Sequence, residues 1–287
     1  MTAITFIGYG EAGGILADAL AKENPVTVWD CKLNGPERDA MITKAHRGGV
    51  RAAISLADAL AGAELVFSTV TAGSALDVAS HAAPLMTDTQ YFLDLNSVAP
   101  QTKRQAAEYF KPGAYVDVAV MAPVPPGALR TPLLTGGREA EAIAELLTKL
   151  GCNARYGGNY VGSVSAIKMC RSVMIKGLEA LTAECLFAAH HYGVEEQVLA
   201  SLHASFPSLG WKDTFPDYLI SRIAEHGIRR SEEMEEVVKT LSDAAGESVM
   251  SQATAIAQRH LPDRMAELGM TYAQLEPFNW KALAGVK

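Results

Sequence analysis

Two hydrophobic patterns divide this chain near residue 160. Before that point, short apolar runs rich in β-branched and aromatic residues alternate with segments of helical spacing. The runs predict strands at Ile4–Ile7, Val26–Trp29, Val50–Ile54, Leu65–Val70, Tyr91–Leu95, Tyr115–Val120 and Thr131–Thr135. Between them, helices are predicted at Ser55–Ala61, Ala75–Leu85, Pro100–Tyr109 and Arg138–Leu150. Such an alternation is typical of a parallel sheet with helices on both faces.

Beyond residue 160 only helical patterns remain. The segment Ser163–His191 contains no proline and a single glycine, Gly177, and its dense apolar content predicts one long helix. The later helices are expected to break near Pro207, Pro216 and Pro262. We therefore predict an α/β domain over residues 1–160 and an all-α domain over residues 161–287, joined by the long helix.

A glycine-rich turn directly follows the first predicted strand. The motif GYGEAG, residues 8–13, leads from that strand into an amphipathic helix, which is the fingerprint of a Rossmann-type dinucleotide-binding domain. Gly8 permits the tight turn, Gly10 lets a pyrophosphate approach the backbone, and Gly13 lets the helix pack against the sheet. The free N–H groups at the start of the helix, around Glu11 and Ala12, attract the phosphate charge.

An acidic residue ends the second predicted strand. Asp30 comes about 20 residues after the glycine turn, where a carboxylate accepts hydrogen bonds from the ribose 2′-OH of NAD. Its charge repels the 2′-phosphate of NADP, whereas Lys32, two residues later, partly offsets that charge. The expected cofactor is therefore NAD, with NADP as the alternative.

The composition is typical of a cytoplasmic enzyme. The chain has 287 residues, of which 20% are charged, and a net charge of −7. This acidic balance argues against nucleic acid or an anionic membrane as the main partner. No apolar stretch approaches the roughly 20 residues that span a bilayer, and no signal peptide is recognisable, so we expect a cytoplasmic protein.

The cysteines indicate neither a metal site nor a disulfide framework, because their spacing fits neither. We expect reduced thiols that act as small core residues at all four positions, Cys31, Cys152, Cys170 and Cys185.

Polar or small residues follow two of the central strands, at the edge of an open α/β sheet where ligands bind. Val70 and Thr71 leave room for a flat ring or a ribose beside the backbone. Asn96 and Ser97 are candidate contacts for cofactor and substrate, respectively. Helix capping is the alternative role for both.

The long helix carries a polar stripe on an otherwise apolar surface. Lys168, Ser172, Lys176 and Glu179 recur at helical spacing. A solvated face is the ordinary interpretation of such a stripe. The wide apolar surface around it and its position just after the nucleotide-binding domain instead favour a cleft, in which Lys168 would exchange a proton near neutral pH.

These motifs together resemble the β-hydroxyacid dehydrogenase family, which includes 3-hydroxyisobutyrate and 6-phosphogluconate dehydrogenases. Residues 8–13 match its cofactor motif, Asp94–Pro100 (DLNSVAP) is similar to its substrate-binding segment, and Gly162–Lys168 (GSVSAIK) is similar to its catalytic segment. The resemblance spans nearly the whole chain. It implies an NAD(P)-dependent oxidoreductase that transfers hydride to or from a small hydroxy acid or its oxo form, with Lys168 as the general acid/base, and a homodimer packed through the α domains.

Two segments depart from the family pattern. Ser172 stands where the family usually has asparagine, and Met121 and Ala122 begin a proline-rich loop in place of a glycine-rich segment. Both changes predict a remodelled substrate pocket, in which Ser172 hydrogen-bonds the reacting oxygen and Ser97 holds the substrate carboxylate.

Two arginines are further candidates for the substrate carboxylate. Arg229 and Arg230 lie in a run, residues 226–234, that resembles a less characterised branch of the family with its own C-terminal domain. A guanidinium binds a carboxylate through two parallel hydrogen bonds. Pairing with Glu232 or Glu233 is the alternative.

Two other functions remain open. An imine reductase or reductive aminase has the same architecture, but the resemblance to that group predicts aspartate or tyrosine where this chain has Lys168. A non-catalytic dinucleotide-binding protein is the second alternative. The pocket loops contain no cluster of lysine and arginine for a phosphate, so a short or aromatic hydroxy acid fits better than a sugar phosphate.

Overall fold

The chain forms two compact units. A computed structural model describes residues 1–244 and 247–284. The α/β unit comprises Met1–Lys168, and the helical unit comprises Met169–Lys287. The long helix α7, Ser163–His191, has the bounds that the sequence predicts, and the division between the units falls within it.

One eight-stranded sheet forms the centre of the α/β unit. Its strands are β1 (Ile4–Ile7), β2 (Val26–Trp29), β3 (Arg51–Ala52), β4 (Leu65–Ser68), β5 (Tyr91–Asp94), β6 (Tyr115–Val120), β7 (Leu133–Gly136) and β8 (Ala154–Gly158). The strand order is β3-β2-β1-β4-β5-β6-β7-β8. Its first six strands follow the order of dinucleotide-binding sheets. All neighbours pair in parallel except β6 and β7, which are antiparallel.

Helices cover both faces of this sheet, which confirms the predicted α/β architecture. They are α1 (Glu11–Leu20), α2 (Arg38–Gly48), α3 (Leu56–Leu60), α4 (Ala75–Ala82), α5 (Pro100–Ala107) and α6 (Ala140–Lys149). Successive residues of β1 enter different cores, because side chains alternate along a strand. Phe6 stacks on Phe67 in one core, whereas Ile7 packs in the other core with Val66 and Phe92.

The edge strand β8 has no counterpart among the predicted strands. Its sequence, ARYGG, contains one arginine and two glycines, and its residues are half-buried or exposed. An edge strand that buries little apolar surface lacks the alternation by which strands are recognised. Pairing with β7 therefore defines β8, rather than any pattern of its own.

The helical unit contains the rest of α7 together with α8 (Glu195–Ser205), α9 (Phe215–Asp243) and α10 (Val249–Glu267). The prediction that Pro262 breaks a helix is wrong, because α10 continues through it. Proline has no N–H for the carbonyl of Gln258, four residues earlier. That carbonyl instead faces α9 at Gly227, where a Cβ atom would lie only 2.2 Å from it. Close packing of α9 on α10 thus stabilises the interrupted helix.

The cysteine prediction is correct only in part. Cys152 is buried, whereas Cys31, Cys170 and Cys185 are exposed, and all four are free thiols. Within residues 1–244 and 247–284, no helix combines the length and apolar character needed to cross a bilayer.

Candidate active site

The glycine turn forms an open cradle at the start of α1. A Cβ atom at Gly8 would lie 2.5 Å from the carbonyl oxygen of Thr69, and one at Gly13 would lie 2.3 Å from the carbonyl oxygen of Gly8, so neither position accepts a side chain. Gly10 differs, because nothing lies within 4 Å of the place of its Cβ. The helix begins at Glu11 without a side-chain cap. Open space beside an uncapped helix N-terminus fits the pyrophosphate of a dinucleotide.

Asp30 links this turn to the loop after β2. One carboxylate oxygen, Oδ2, accepts a hydrogen bond from the backbone N–H of Tyr9 at 2.8 Å, and the other accepts from the backbone N–H of Lys32 at 3.0 Å. The ammonium group of Lys32 pairs with Glu37 at 2.8 Å. The ammonium of Lys32 therefore pairs with Glu37, while the charge of Asp30 also acts on it.

Lys44 on α2 holds the turn from the other side, although no motif in the sequence marks it. Its Nζ atom donates to the carbonyl oxygens of Tyr9 and Gly10 at 2.7 and 2.9 Å and lies 4.4 Å above the Tyr9 ring. Burial and a hydrogen bond to Asp18 raise the pKa of Tyr9 above its ordinary value, so this hydroxyl stays protonated. These contacts fix the backbone that a dinucleotide would approach.

Asn96 joins the ends of two strands. Its Oδ1 accepts from the backbone N–H of Val70 at 2.7 Å, and its Nδ2 donates to Ser68 at 2.9 Å. The Asn96 side chain is buried and hydrogen-bonded to the protein. Its contact with a cofactor stays a prediction. Helix capping is not its role, because α5 is preceded by Ala99 and has no side-chain cap. Thr71, in contrast, is exposed beside Val70.

The structure brings together Lys168 and Ser97, which lie 71 positions apart in the chain. The Lys168 ammonium donates a hydrogen bond to the Ser97 hydroxyl, and both side chains are half-buried. Ser97 follows β5, and Lys168 lies on the second turn of α7. The residue predicted to exchange a proton and the residue predicted to bind the substrate carboxylate are therefore in contact at the carboxyl edge of the sheet.

A buried ion cluster includes Asp94, the last residue of β5. Lys103 on α5 is fully buried, and its Nζ lies 2.9 Å from Asp94 Oδ1 and 3.3 Å from Asp117 Oδ1. The hydroxyl of Tyr115 donates to the other oxygen of Asp94 at 2.6 Å. Burial and both neighbouring carboxylates raise the pKa of Tyr115 well above its ordinary value, so it remains a donor.

Asp94 and Asp117 bind the segments of the chain that carry Ser97 and Lys168. Asp117 accepts hydrogen bonds from the backbone N–H groups of Gly162 and Ser165 and from the Ser165 hydroxyl, at the first turn of α7. Asp94 accepts from the backbone N–H of Asn96 at 2.9 Å, next to Ser97. Asp94 belongs to a motif that the sequence shows, whereas Lys103 and Asp117 have no local pattern that would indicate their role.

Comparison with known proteins identifies the family. The NAD-binding domain of 6-phosphogluconate dehydrogenase matches residues 3–158, and a domain of unknown function, DUF1932, matches residues 189–261. A conserved hypothetical protein from Sinorhizobium meliloti 1021 is 38% identical, with a TM-score of 0.78 over 100% of this chain and 97% of that protein. The chain belongs to the β-hydroxyacid dehydrogenase family.

Two further structures support the fold of this β-hydroxyacid dehydrogenase family member. The conserved protein MTH1747, described as structurally similar to 3-hydroxyacid dehydrogenases, is 32% identical with a TM-score of 0.73 over 93% of this chain and 98% of that one. The 3-hydroxyisobutyrate dehydrogenase of Mycobacterium tuberculosis, solved with L-serine, has a TM-score of 0.73 over 99% and 98% of the two chains. At 15% identity, that second likeness concerns the fold alone.

In this family member the polar stripe of α7 continues as a buried network, and not as the solvated face considered as an alternative. Within the helical unit, Ser172 accepts a hydrogen bond from Lys176 at 3.1 Å, and Lys176 pairs with Glu233 at 2.8 Å. Glu179 is 1% exposed and receives two hydrogen bonds from Arg230. Each buried charge in this network is therefore paired.

The two arginines of α9 have partners within the helical unit. The guanidinium of Arg230 is bound bidentately by Glu179, and exposed Arg229 lies 3.7 Å from Glu233. For Arg229 this is the pairing named as the alternative to substrate contact, whereas Glu179 was not foreseen as the partner of Arg230. A substrate contact by either residue stays a prediction. The same holds for half-buried Met121 and exposed Ala122 in the loop after β6.

Proposed function

We propose that this protein is an NAD(P)-dependent oxidoreductase that interconverts a small hydroxy acid and its oxo form. The observation that carries the proposal is the hydrogen bond between Lys168 and Ser97, at the edge of the sheet that also bears the glycine cradle. A lysine beside a hydroxyl, at the place where parallel strands end, supplies both a proton carrier and a polar anchor for a substrate.

The bound dinucleotide would supply the hydride acceptor or donor at nicotinamide C4. In oxidation, the amine form of Lys168 takes the proton of the substrate hydroxyl, and in reduction its ammonium form returns that proton to the carbonyl oxygen. Ser97 Oγ accepts from Lys168, so its own O–H is free to donate to the substrate carboxylate. Ser172, in the place of the family's asparagine, would donate to the reacting oxygen.

We propose NAD as the preferred cofactor. Asp30 follows β2, where an acid typically binds the ribose 2′-OH in dinucleotide-binding sheets, and Glu37 adds a second carboxylate on the same loop. The 2′-phosphate of NADP would meet both negative charges, and the ammonium of Lys32 is already paired with one of them.

The substitution Lys168→Ala tests the catalytic role. The assay is a screen of 2- and 3-hydroxy acids and their oxo forms, run in both directions with NAD and NADP. The variant should lose at least ~100-fold in kcat, because general acid/base catalysis is worth about 10²–10⁴-fold. Its affinity for NADH, measured by fluorescence, should stay within about twofold of the wild type. The reason is that the glycine cradle and Asp30, and not Lys168, are proposed to bind the dinucleotide.

The matched control is Lys149→Ala, at an exposed lysine on α6. Full turnover in Lys168→Ala would refute the catalytic role. Reduction of imines in place of oxo acids would favour the reductive aminase alternative, and dinucleotide binding without any turnover would favour a binding protein.

We further propose that the helical unit forms a homodimer interface. Several large apolar side chains of this unit are exposed, among them Met174 and Ile256, each 73% exposed. Exposed apolar surface of this kind is typical of association sites. Sedimentation equilibrium should give twice the chain mass of 30.5 kDa, and a monomer mass would contradict this proposal.

A further inference from the structure

The loop after β2 contains an ion pair that no sequence motif indicates. The ammonium of Lys32 lies 2.8 Å from Glu37 Oε2, and about half of each side chain is exposed. The backbone N–H of Lys32 donates to Asp30 Oδ1 at 3.0 Å, so this lysine stands directly beside Asp30. The hydrogen bond and charge of Glu37 raise the pKa of Lys32, which keeps the ammonium fully charged.

This loop lies where a dinucleotide presents its adenosine ribose. Asp30 follows β2 and contacts the glycine turn through the backbone N–H of Tyr9. In dinucleotide-binding sheets an acid at this place binds the ribose 2′-OH, and a nearby cation accommodates the 2′-phosphate of NADP. The 2′-phosphate, which is the chemical difference between NAD and NADP, would therefore meet Asp30, Lys32 and Glu37.

We propose that Glu37 is a specificity-determining residue that selects against NADP by holding the ammonium of Lys32. With Glu37 in place, Lys32 is engaged and the loop presents carboxylates to a 2′-phosphate. Without it, Lys32 turns toward the phosphate and compensates Asp30. The inference rests on the dinucleotide binding in the proposed function and adds the residue that decides between the two cofactors.

The other charges of the loop do not account for this selection. The guanidinium of Arg38 donates to the carbonyl oxygen of Leu33 at 3.3 Å, which directs it to the backbone. Asp39, on the first turn of α2, adds negative charge and cannot attract a phosphate. The Lys32–Glu37 pair is exposed, and such pairs contribute little to stability. Glu37 can therefore be replaced without loss of the fold.

The test is a double-mutant cycle on cofactor binding that needs no substrate. The four proteins are the wild type, Glu37→Gln, Lys32→Met and the double variant. NADH and NADPH are titrated separately at low salt, with nicotinamide fluorescence as the readout. Glu141→Gln, at an exposed acid on α6, is the control for the change in net charge.

Glu37→Gln should strengthen NADPH binding about fivefold and leave NADH binding within about twofold, because only NADPH carries the extra phosphate. The gain should vanish in the Lys32→Met background and shrink at high salt. A gain that persists without Lys32, or equal changes for both dinucleotides, would overturn the inference. If the wild type binds neither dinucleotide, the proposed function fails as well, so the two failures are distinguishable.

Discussion

Replacement of Lys103 by methionine is the sharpest test of how the candidate site is supported. Lys103 is fully buried, with its ammonium 2.9 Å from Asp94, 3.3 Å from Asp117 and 2.6 Å from the backbone carbonyl oxygen of Asp94. Methionine fills a similar volume but carries no charge. The substitution leaves two buried carboxylates facing each other without a cation.

The expected cost follows from this geometry. Removal of one partner of a buried ion pair costs about 3–5 kcal/mol, because the remaining carboxylates keep their hydrogen bonds but lose the cation that compensates their charge. A domain is stable by about 5–15 kcal/mol in total, so Lys103→Met loses a large part of that free energy. With an m-value of about 2–3 kcal/mol/M, the urea midpoint should fall by roughly 1–2.5 M.

Urea unfolding followed by far-UV circular dichroism measures this effect, with exposed Lys149→Met as the control. The double variant Lys103→Met/Asp117→Asn should recover about half of the loss, because it removes one of the two uncompensated charges. A single variant whose midpoint equals that of Lys149→Met would refute the assignment of Lys103 as the cation that holds both acids.

Three further predictions concern the α/β unit. Gly10→Ala should leave the urea midpoint unchanged but weaken NADH binding by about tenfold or more, because the added methyl group would occupy the space left for the pyrophosphate. Gly13→Ala should lower the midpoint, because Gly13, unlike Gly10, has no room for a Cβ atom. The pKa of Tyr115 is raised, so the folded state keeps a proton that the unfolded chain loses near pH 10. The free energy of unfolding should therefore fall as the pH rises above about 10. This fall should be less steep in Tyr115→Phe than in the exposed control Tyr109→Phe. Burial raises the pKa of Cys152 to about 11, so a thiol reagent at about pH 8 should label Cys152 only after unfolding. The exposed thiols of Cys31, Cys170 and Cys185 should react in the native protein. Rapid labelling of all four thiols in the native protein would contradict this prediction.

The features that depend on neighbouring residues can be predicted from the amino-acid sequence. The alternation of apolar runs and helical segments predicted the α/β architecture, and α7 has the predicted bounds. The motifs that contain Ser97 and Lys168 indicate both residues without information on their contact. Such features can be predicted from the sequence because periodicity and turn chemistry act over a few residues.

The features that depend on distant partners follow from the folded chain and have no local signal. Lys103 is an ordinary helical lysine until Asp94 and Asp117 surround it, and α10 continues through Pro262 because Gly227 of another helix packs against it. The same reason explains β8, which exists as a strand through its pairing with β7. Burial and pairing set the energy of each of these groups, and both depend on how the whole chain is folded.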